Sequence, residues 1–299
     1  DMVKDAELAV HHAKRLGGDR IEPFRPAFRA AGSDRLQLES DLRRALERHE
    51  IKLVYQPIIR LEDRSIAGFE ALMRWENPRR GTIPPADFIP IAESCGLIVP
   101  LGLFAMQQAA DDLAGWQKLI GDMPLSVSVN LSSRQLLRRD LVTDVRSIIA
   151  RSNLKPRCFR LELTESLVMD NPEQSAHVLA RLKRLGIGLS LDDFGTGYSS
   201  LSYLTRFPFD TIKIDKSFID DPSPKRAVLL KSIINMAHEL GLAVVAEGVP
   251  NETDARQLRE MGCEFVQSFA FGAAGSGDAM LRMLKDEFAA ARARPGAAG

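Results

Sequence analysis

Short apolar runs alternate with amphipathic stretches along most of the chain. Eight runs have β-strand character, because they are short, rich in Val, Ile and Leu, and bounded by polar turn residues. From the second run onward, the gaps carry apolar residues at helical spacing. Strands are predicted at 53–59, 66–73, 125–131, 158–163, 187–191, 211–214, 243–246 and 265–269, and helices at 104–119, 141–152, 175–185, 226–240 and 252–261. This order favours a mainly parallel sheet with helices outside.

The count of eight strands predicts an α/β fold, a (β/α)8 TIM-like barrel. The first two strand runs are separated only by residues 60–65, a segment too short for a helix. They are therefore expected to form an antiparallel hairpin, so that the barrel has an antiparallel first strand. In a barrel of this kind the carboxyl ends of the strands meet at one rim, where active sites lie.

The residues before the barrel are interpreted as a separate piece. Residues 5–16 have one apolar face and predict a short helix, and the following stretch, which contains Pro26, is typical of a linker. Ser33 or Asp34 is then expected to cap a helix over 35–48. The domain organisation predicted is a helix and linker at 1–32, a barrel at 33–288 and a flexible tail at 289–299.

Composition and charge narrow the class of protein. The 40 basic and 40 acidic residues balance, which argues against binding of duplex DNA or RNA. Three widely spaced cysteines argue against a disulfide framework, and no run of about 18 apolar residues predicts a membrane span. We expect a cytoplasmic protein, or the cytoplasmic part of a larger and perhaps membrane-anchored one. The first residue is Asp, which suggests a fragment of a longer chain.

Carboxylates and amides fall at the ends of the predicted strands. Any one of them is explained by a helix cap or an Arg partner, but a convergent set beside Lys213 indicates divalent cations, because buried carboxylates need compensation. Oxygen ligands without His or Cys favour Mg²⁺ or Mn²⁺, and two such ions are a common means of hydrolysing a phosphodiester. The set comprises Glu70, Asn130, Glu162, Asp192, Asp193, Asp215, Glu247 and Gln267.

The segment Asp192–Gly197 (DDFGTG) is the second chemical signal. Adjacent residues of a strand point to opposite faces, so Asp192 and Asp193 reach one site only if the chain turns there. The glycines permit such a turn. The alternative is that the acidic pair caps a helix starting near Ser199.

Several longer motifs lie at and near the predicted strands. They are YQPI (55–58), Glu70-Ala71-Leu72, PADFIPIAE (85–93), SVNLS (128–132), LELTES (161–166), DDFGTGYSSLSYL (192–204), IKIDKSFI (212–219) and VVAEGV (244–249). In this order they resemble the EAL domain family, which is named after the Glu-Ala-Leu motif and whose members hydrolyse the bacterial messenger cyclic di-GMP. The resemblance covers about residues 35 to 285.

This resemblance implies residue roles and a reaction. The product would be linear pGpG, the cofactor Mg²⁺ or Mn²⁺ at a two-metal site, and Ca²⁺ would bind and inhibit. The implied metal ligands are Glu70, Asn130, Glu162 and a bridging Asp192 for the first ion, and Asp193 for the second, with Glu247 also at the metals. Lys213 and Glu247 would position or deprotonate the attacking water, Gln267 would support them and the substrate, Glu165 would brace the loop after the fifth strand, and Gln56 and Arg74 would contact substrate.

The implied partners are cyclic di-GMP, a second copy in a homodimer, and upstream GGDEF or sensor domains in the full-length protein. Residues 5–20 resemble the final helix of a GGDEF domain, although an unrelated capping helix is the alternative.

Two departures from the family pattern bear on activity. Pro250 stands where the family carries a glutamate, and residues 267–274 read QSFAFGAA, without the usual basic residue. Pro250 implies either a lost carboxylate near the second metal or a rigid start to the helix near Glu252. The alternative to an enzyme is a weak or inactive receptor that binds cyclic di-GMP and signals to a partner. An unrelated barrel hydrolase is a third possibility.

Overall fold

The computed structural model describes residues 2, 3, 6, 9, 10, 19, 21, 23, 26–121, 124–195, 204–223 and 225–293, with the backbone alone at 26–33 and 290–293. The chain divides into two compact units, one of residues 1–52 and 74–98 and the other of residues 53–73 and 99–299. Each unit is described by itself below.

Nine strands and eleven helices are named here in chain order. The strands are β1 (Ile51–Arg60), β2 (Ile66–Asn77), β3 (Gly81–Ile83), β4 (Ser126–Asn130), β5 (Phe159–Thr164), β6 (Gly188–Phe194), β7 (Thr211–Ile214), β8 (Ala243–Glu247) and β9 (Phe265–Gln267). The helices are α1 (Pro26–Ala45), α2 (Pro85–Cys95), α3 (Ile98–Ile120), α4 (Ser133–Leu136), α5 (Leu141–Ser152), α6 (Glu165–Met169), α7 (Pro172–Arg184), α8 (Lys216–Ile219), α9 (Arg226–Glu239), α10 (Glu252–Glu260) and α11 (Gly277–Ala293).

The larger unit contains a closed barrel. Its strands follow the order β1-β9-β8-β7-β6-β5-β4-β2, and a pairing between β1 and β2 closes the ring. From β4 to β9 neighbouring strands are parallel, whereas β1 runs antiparallel to β9. The predicted (β/α)8 barrel with an antiparallel first strand is therefore confirmed.

The helices of this unit form where the sequence supplies both an apolar face and a start signal. In α7, for example, Asn171 caps the helix by accepting a hydrogen bond from the backbone of Gln174, and a proline occupies the first turn. Val178 and Leu179 on the same helix are buried in the core, and Leu182, one helical turn further along, is buried on the same face. The apolar faces of the helices thereby cover the outside of the barrel strands.

The smaller unit contains features that the apolar pattern did not predict. Strand β2 continues to Asn77 and pairs with the short strand β3, and α2 follows. Trp75 organises this region, because its ring packs edge to face on Phe88 and its Nε1 donates a 2.9 Å hydrogen bond to Glu50. The alternation of the predicted second strand ends at residue 73, which is why the extension was missed.

The predicted helix cap at Ser33 or Asp34 is wrong. Helix α1 begins at Pro26, so both residues lie inside the helix and Pro26 is not part of a linker. A proline is tolerated at the first helical position because its missing N–H would have no partner there. The predicted helix at 5–16 lies mostly outside the described residues. At the other end, α11 continues to Ala293, past the predicted start of the tail at residue 289.

Candidate active site

Strand register brings the polar residues of the barrel to one rim. Asn130 is opposite Glu162, and Thr164 is opposite Asp192, across the β4, β5 and β6 pairings. Glu247 and Gln267 are likewise opposite each other on β8 and β9. Because these strands are parallel, their carboxyl ends lie at the same end of the barrel.

Lys213 lies at the centre of the carboxylates, with only 1% of its surface exposed. Its Nζ is 2.7 Å from an oxygen of Glu162, 2.7 Å from one of Glu247, 3.1 Å from one of Glu70 and 3.5 Å from one of Asp192. Four carboxylates therefore share one ammonium group. We call these five residues the acidic cluster.

Glu70 is held by three other side chains. Its Oε1 accepts a 2.6 Å hydrogen bond from the amide of Asn130, and its Oε2 accepts a 2.6 Å bond from Gln267 and a 3.1 Å bond from Lys213. The same Gln267 amide lies 3.4 Å from Gln56. Five of the predicted site residues are thus joined in one hydrogen-bond network.

The acidic cluster has an excess of negative charge, and this excess contributes to raised pKa values for two of its glutamates. Burial, aided by the charges of Glu70 and Asp192, raises the pKa of Glu162 to about 8. Burial also raises the pKa of Glu247 to about 7, against the effect of Lys213. For Glu70, burial is outweighed by Lys213, Gln267 and Asn130, which hold its pKa below the usual range. One lysine does not neutralise all four carboxylates.

A break in strand β6 places the two aspartates on the same side. The β6–β7 register shifts between Leu191 and Phe194, and Asp193 has a φ of 53°. Oxygen atoms of Asp192, Asp193 and Glu247 all lie within 4.8 Å of one another. The predicted turn is therefore present, and it falls on Asp193 itself. The alternative, a cap for a helix near Ser199, concerns residues outside the described part of the chain.

The other predicted residues have varied positions. Glu165, the first residue of α6, accepts a 3.3 Å hydrogen bond from the backbone of Gly195, just beyond the aspartate pair. Asp215 caps α8 through the backbone of Ser217, in keeping with the helix-cap alternative. Arg74 lies on β2 in the smaller unit, and its substrate role remains a prediction.

The cluster fits divalent cations in two respects. Its four carboxylates, together with the amide of the neighbouring Asn130, offer oxygen ligands of the kind that Mg²⁺ and Mn²⁺ take, and the negative charge of the carboxylates exceeds the positive charge of Lys213. In addition, Oε1 of the buried Gln267 has no hydrogen-bond partner among the described residues. A hydrated cation would supply positive charge to the carboxylates, and one of its water molecules would donate a hydrogen bond to Oε1 of Gln267.

A pocket of about 610 Å³ lies over the cluster. Besides the predicted site residues, its lining includes several that were not assigned to a site from the sequence: Lys216, Asp220, Ser268 and Phe269. Phe269 is 80% exposed, which is unusual for a large aromatic side chain. The apolar pattern placed Phe269 in the predicted strand 265–269, but β9 ends at Gln267 and Phe269 lies beyond it.

Pro250 also lines this pocket, and the structure corrects its alternative interpretation. Helix α10 begins at Glu252 and is capped by Asn251, which accepts hydrogen bonds from the backbones of Thr253 and Asp254. Pro250 therefore precedes the cap and does not occupy the first helical position.

Comparisons with known proteins agree with this geometry. Residues 39–274 match the sequence profile of the EAL domain. The chain is 38% identical over 274 residues to the bifunctional diguanylate cyclase/cyclic di-GMP phosphodiesterase MucR of Pseudomonas aeruginosa, and 40% identical over 273 residues to the cyclic di-GMP phosphodiesterase NbdA of the same organism. A solved structure, the PaMucR phosphodiesterase in complex with c-di-GMP, superposes with a TM-score of 0.78 at 39% identity and covers 82% of this chain and 99% of that chain.

The chain spans less than half of the length of these curated relatives. Each alignment includes 91% of this chain, but only 40% of the length of MucR and 35% of the length of NbdA. Within the described residues, no helix combines the length and the apolar character that crossing a membrane requires.

Proposed function

Because this chain belongs to the EAL domain family, we propose that it hydrolyses cyclic di-GMP to linear pGpG with two divalent cations, Mg²⁺ or Mn²⁺. The observation that carries the proposal is the acidic cluster, in which four carboxylates share Lys213 at the carboxyl rim of a barrel. Relatives that are named phosphodiesterases support the choice of substrate.

In this proposal, the cations are held by Glu70, Asn130, Glu162, Asp192, Asp193 and Glu247. When bound, they would supply Lewis acidity toward the phosphate and lower the pKa of a water molecule. Side chains of the protein would position the attacking water and remove its proton, and we assign these roles to Lys213 and Glu247.

The Nζ of Lys213 and an oxygen of Glu247 are in direct contact at 2.7 Å, and in this proposal the attacking water lies beside this pair and is bound by both groups. Glu247 accepts the proton of this water, and Lys213 keeps the carboxylate turned toward it. The water oxygen forms a new bond to phosphorus, the bond from phosphorus to the ribose 3′ oxygen breaks, and that oxygen takes up a proton from solvent. Glu247 then releases the proton it accepted to solvent. The ring opens and leaves a 5′-phosphate, as in pGpG.

Three residues are proposed to contact the substrate. Gln267 links the cluster to Gln56, so the two amides present adjacent polar groups on the pocket wall. Arg74 is the proposed partner of a substrate phosphate, because a guanidinium forms two parallel bonds to phosphate oxygens.

The receptor alternative requires that binding occurs without turnover. The complete set of acidic side chains around Lys213 favours the enzyme, because a receptor does not need a cluster in which four carboxylates, two of them buried, repel one another. The altered segment 268–274 and Pro250 are the features that would weaken turnover.

The test is to incubate metal-free protein with cyclic di-GMP and Mn²⁺ in ¹⁸O-labelled water and to separate the products by chromatography. We expect pGpG with one ¹⁸O atom in its terminal phosphate. Lys213→Met should abolish product formation, whereas Glu62→Ala, a change on an exposed turn, should not. If calorimetry shows that the parent protein binds cyclic di-GMP but no pGpG forms, the enzyme hypothesis is wrong and the receptor hypothesis takes its place. Light scattering tests the proposed homodimer separately.

A further inference from the structure

A second cavity, of about 280 Å³, lies at the amino ends of the barrel strands, away from the rim that carries the aspartate pair. Its wall includes Ser126 at the start of β4, Cys158 just before β5, Thr211 at the start of β7 and Phe265 at the start of β9. Apart from Glu162 and Lys213, which also line this cavity, the role proposed above for the carboxyl rim uses none of its lining residues.

Three arginines line this cavity: Arg60, Arg157 and Arg160. The guanidinium of Arg60 lies 5.2 Å from the centre of the Phe265 ring, and its Nε is 4.0 Å from Asp63. Arg157 is exposed, and within the described residues its side chain pairs with no acid. It also has a φ of 65°, a conformation that is uncommon outside glycine.

Arg160 reaches inward from β5 and is incompletely paired. One terminal nitrogen donates a 2.6 Å hydrogen bond to Thr211, but its Nε has no hydrogen-bond partner among the described residues.

The cavity also contains an unpartnered hydroxyl. Ser128 is 2% exposed, lines the cavity, and its Oγ has no hydrogen-bond partner in the described part of the chain. Buried polar groups are normally satisfied, so this hydroxyl and the Nε of Arg160 mark two places where a ligand oxygen would be held.

The charge of the lining favours an anion. Among the described lining residues Glu162 is the one carboxylate; it is 1% exposed, and an oxygen of it lies 2.7 Å from Nζ of Lys213, which also lines the cavity. The lining also contains three guanidinium groups. Their planar sets of N–H donors can form paired hydrogen bonds to the oxygens of a phosphate or carboxylate.

We propose that this cavity, lined by Arg60, Arg157 and Arg160, is a binding site for a small oxyanion, a phosphate or carboxylate compound of low molecular weight. Its volume is at the lower end of small-molecule sites, which excludes a ligand as large as a dinucleotide. Arg160 and Ser128 hold the oxygens inside, Arg157 contacts the anion from the mouth, and the Phe265 ring forms an apolar wall.

Binding is tested by calorimetry on the metal-free full chain at constant ionic strength, with inorganic phosphate and acetate as separate probes. Without metal, the carboxyl rim is negatively charged and repels both. We expect saturable binding of one equivalent in the millimolar range. Arg157→Gln and Arg160→Met should each weaken it about 10-fold, the effect of losing one charged hydrogen bond. Arg256→Gln, an exposed arginine on α10, serves as the matched control and should bind as the parent does.

A second readout uses the cysteines. Cys158 lines the cavity whereas Cys95 does not, and both are partly exposed. Phosphate should slow alkylation of Cys158 by iodoacetamide, measured by mass spectrometry, and leave Cys95 unchanged. If Arg160→Met does not fold, the variant at the exposed Arg157 and the alkylation of Cys158 still test whether the cavity binds an oxyanion. The absence of saturable binding by both probes, or equal binding by parent and arginine variants, overturns the proposal.

Discussion

Glu70 divides its two oxygens among Asn130, Lys213 and Gln267, so the side chain is oriented before any ligand arrives. Each of these partners is a donor, and a carboxylate that accepts several hydrogen bonds stays ionised. At the scale of single residues, the site is organised by such donors as much as by its acids.

We therefore expect Glu70→Ala to abolish hydrolysis while the fold is retained. The substitution removes a proposed metal ligand and leaves three donors without their acceptor, and the rate should fall at least about 100-fold. The measurement is pGpG release at saturating Mg²⁺, with circular dichroism to verify the fold. Glu62→Ala is the control. Turnover near the parent rate would show that Glu70 has been wrongly placed in the site.

Cys263 is expected to be inert toward thiol reagents. It is 2% exposed, and burial raises its pKa to about 12, whereas an ordinary thiol ionises near pH 8.5. The raised value keeps the thiol protonated at pH 8, and only the thiolate is reactive. Mass spectrometry after iodoacetamide treatment at pH 8 should show Cys95 and Cys158 modified before Cys263. Equal rates at all three sites would contradict the burial of Cys263.

At the scale of elements, the break at the end of β6 requires a glycine. Gly195 has a φ of 90°, and a Cβ added there would lie 2.4 Å from the Phe218 ring. Gly195→Ala should destabilise the protein by about 1–3 kcal/mol, because strain and a clash add, and should lower activity by displacing Asp193. Denaturant unfolding measures the first effect and pGpG release the second.

Gly241→Ala is the matched control for this prediction. Its φ is 73°, yet a Cβ there would meet nothing within 4 Å. The Gly241→Ala variant therefore has the backbone strain of a positive φ but no steric clash. Gly241 is also far along the chain from Asp192 and Asp193. If both variants lose the same stability and keep full activity, the break in β6 does not depend on Gly195.

The loops after β8 and β9 are tied together by Ser268. Its hydroxyl donates a 2.6 Å hydrogen bond to the carbonyl of Val249 and accepts a 3.2 Å bond from the backbone of Ala270. Pro250 is thereby held next to the pocket, and it offers neither a carboxylate nor an N–H.

Pro250→Glu should lower the Mn²⁺ concentration needed for half-maximal rate, since a carboxylate near the metals commonly changes their affinity about 10- to 100-fold. Because Asn251 already caps α10, the added glutamate should leave helix stability nearly unchanged. Rate against Mn²⁺ concentration is the measurement, with Pro250→Ala as the control for removing the ring. An identical curve for the parent and Pro250→Glu would rule out a lost carboxylate.

At the scale of the whole molecule, cation binding should be visible as stability. A ligand that binds only the folded state at 100 times its Kd adds about 2.7 kcal/mol. Ca²⁺ and Mn²⁺ should therefore both raise the melting temperature, but Ca²⁺ should not support turnover, because it takes more ligands at longer distances and acidifies water less. Calorimetric melting and pGpG release measure the two effects. Full activity in Ca²⁺ after removal of Mg²⁺ and Mn²⁺ would contradict the two-metal proposal.

Much of the barrel could be predicted because its signal is local. The strands from β4 to β8 coincide closely with apolar runs, since a strand buried on both faces leaves an uninterrupted apolar stretch in the sequence. The extension of β2 with β3 was missed because Trp75 is buried by its contacts with Glu50 and Phe88, partners distant in sequence. Helix α2 was also not predicted; it contains Pro90 in its interior, where proline is normally unfavourable in a helix.

By itself, the sequence determined the barrel class, the strand order implied by alternation, and the acids that share a rim, because these follow from periodicity and from the geometry of parallel strands. The tertiary structure alone decided three matters: that Lys213 lies at the centre of four carboxylates, that the chain turns at Asp193, and that Arg60, Arg157 and Arg160 line one cavity. These depend on distances between side chains far apart in the chain, which no local pattern records.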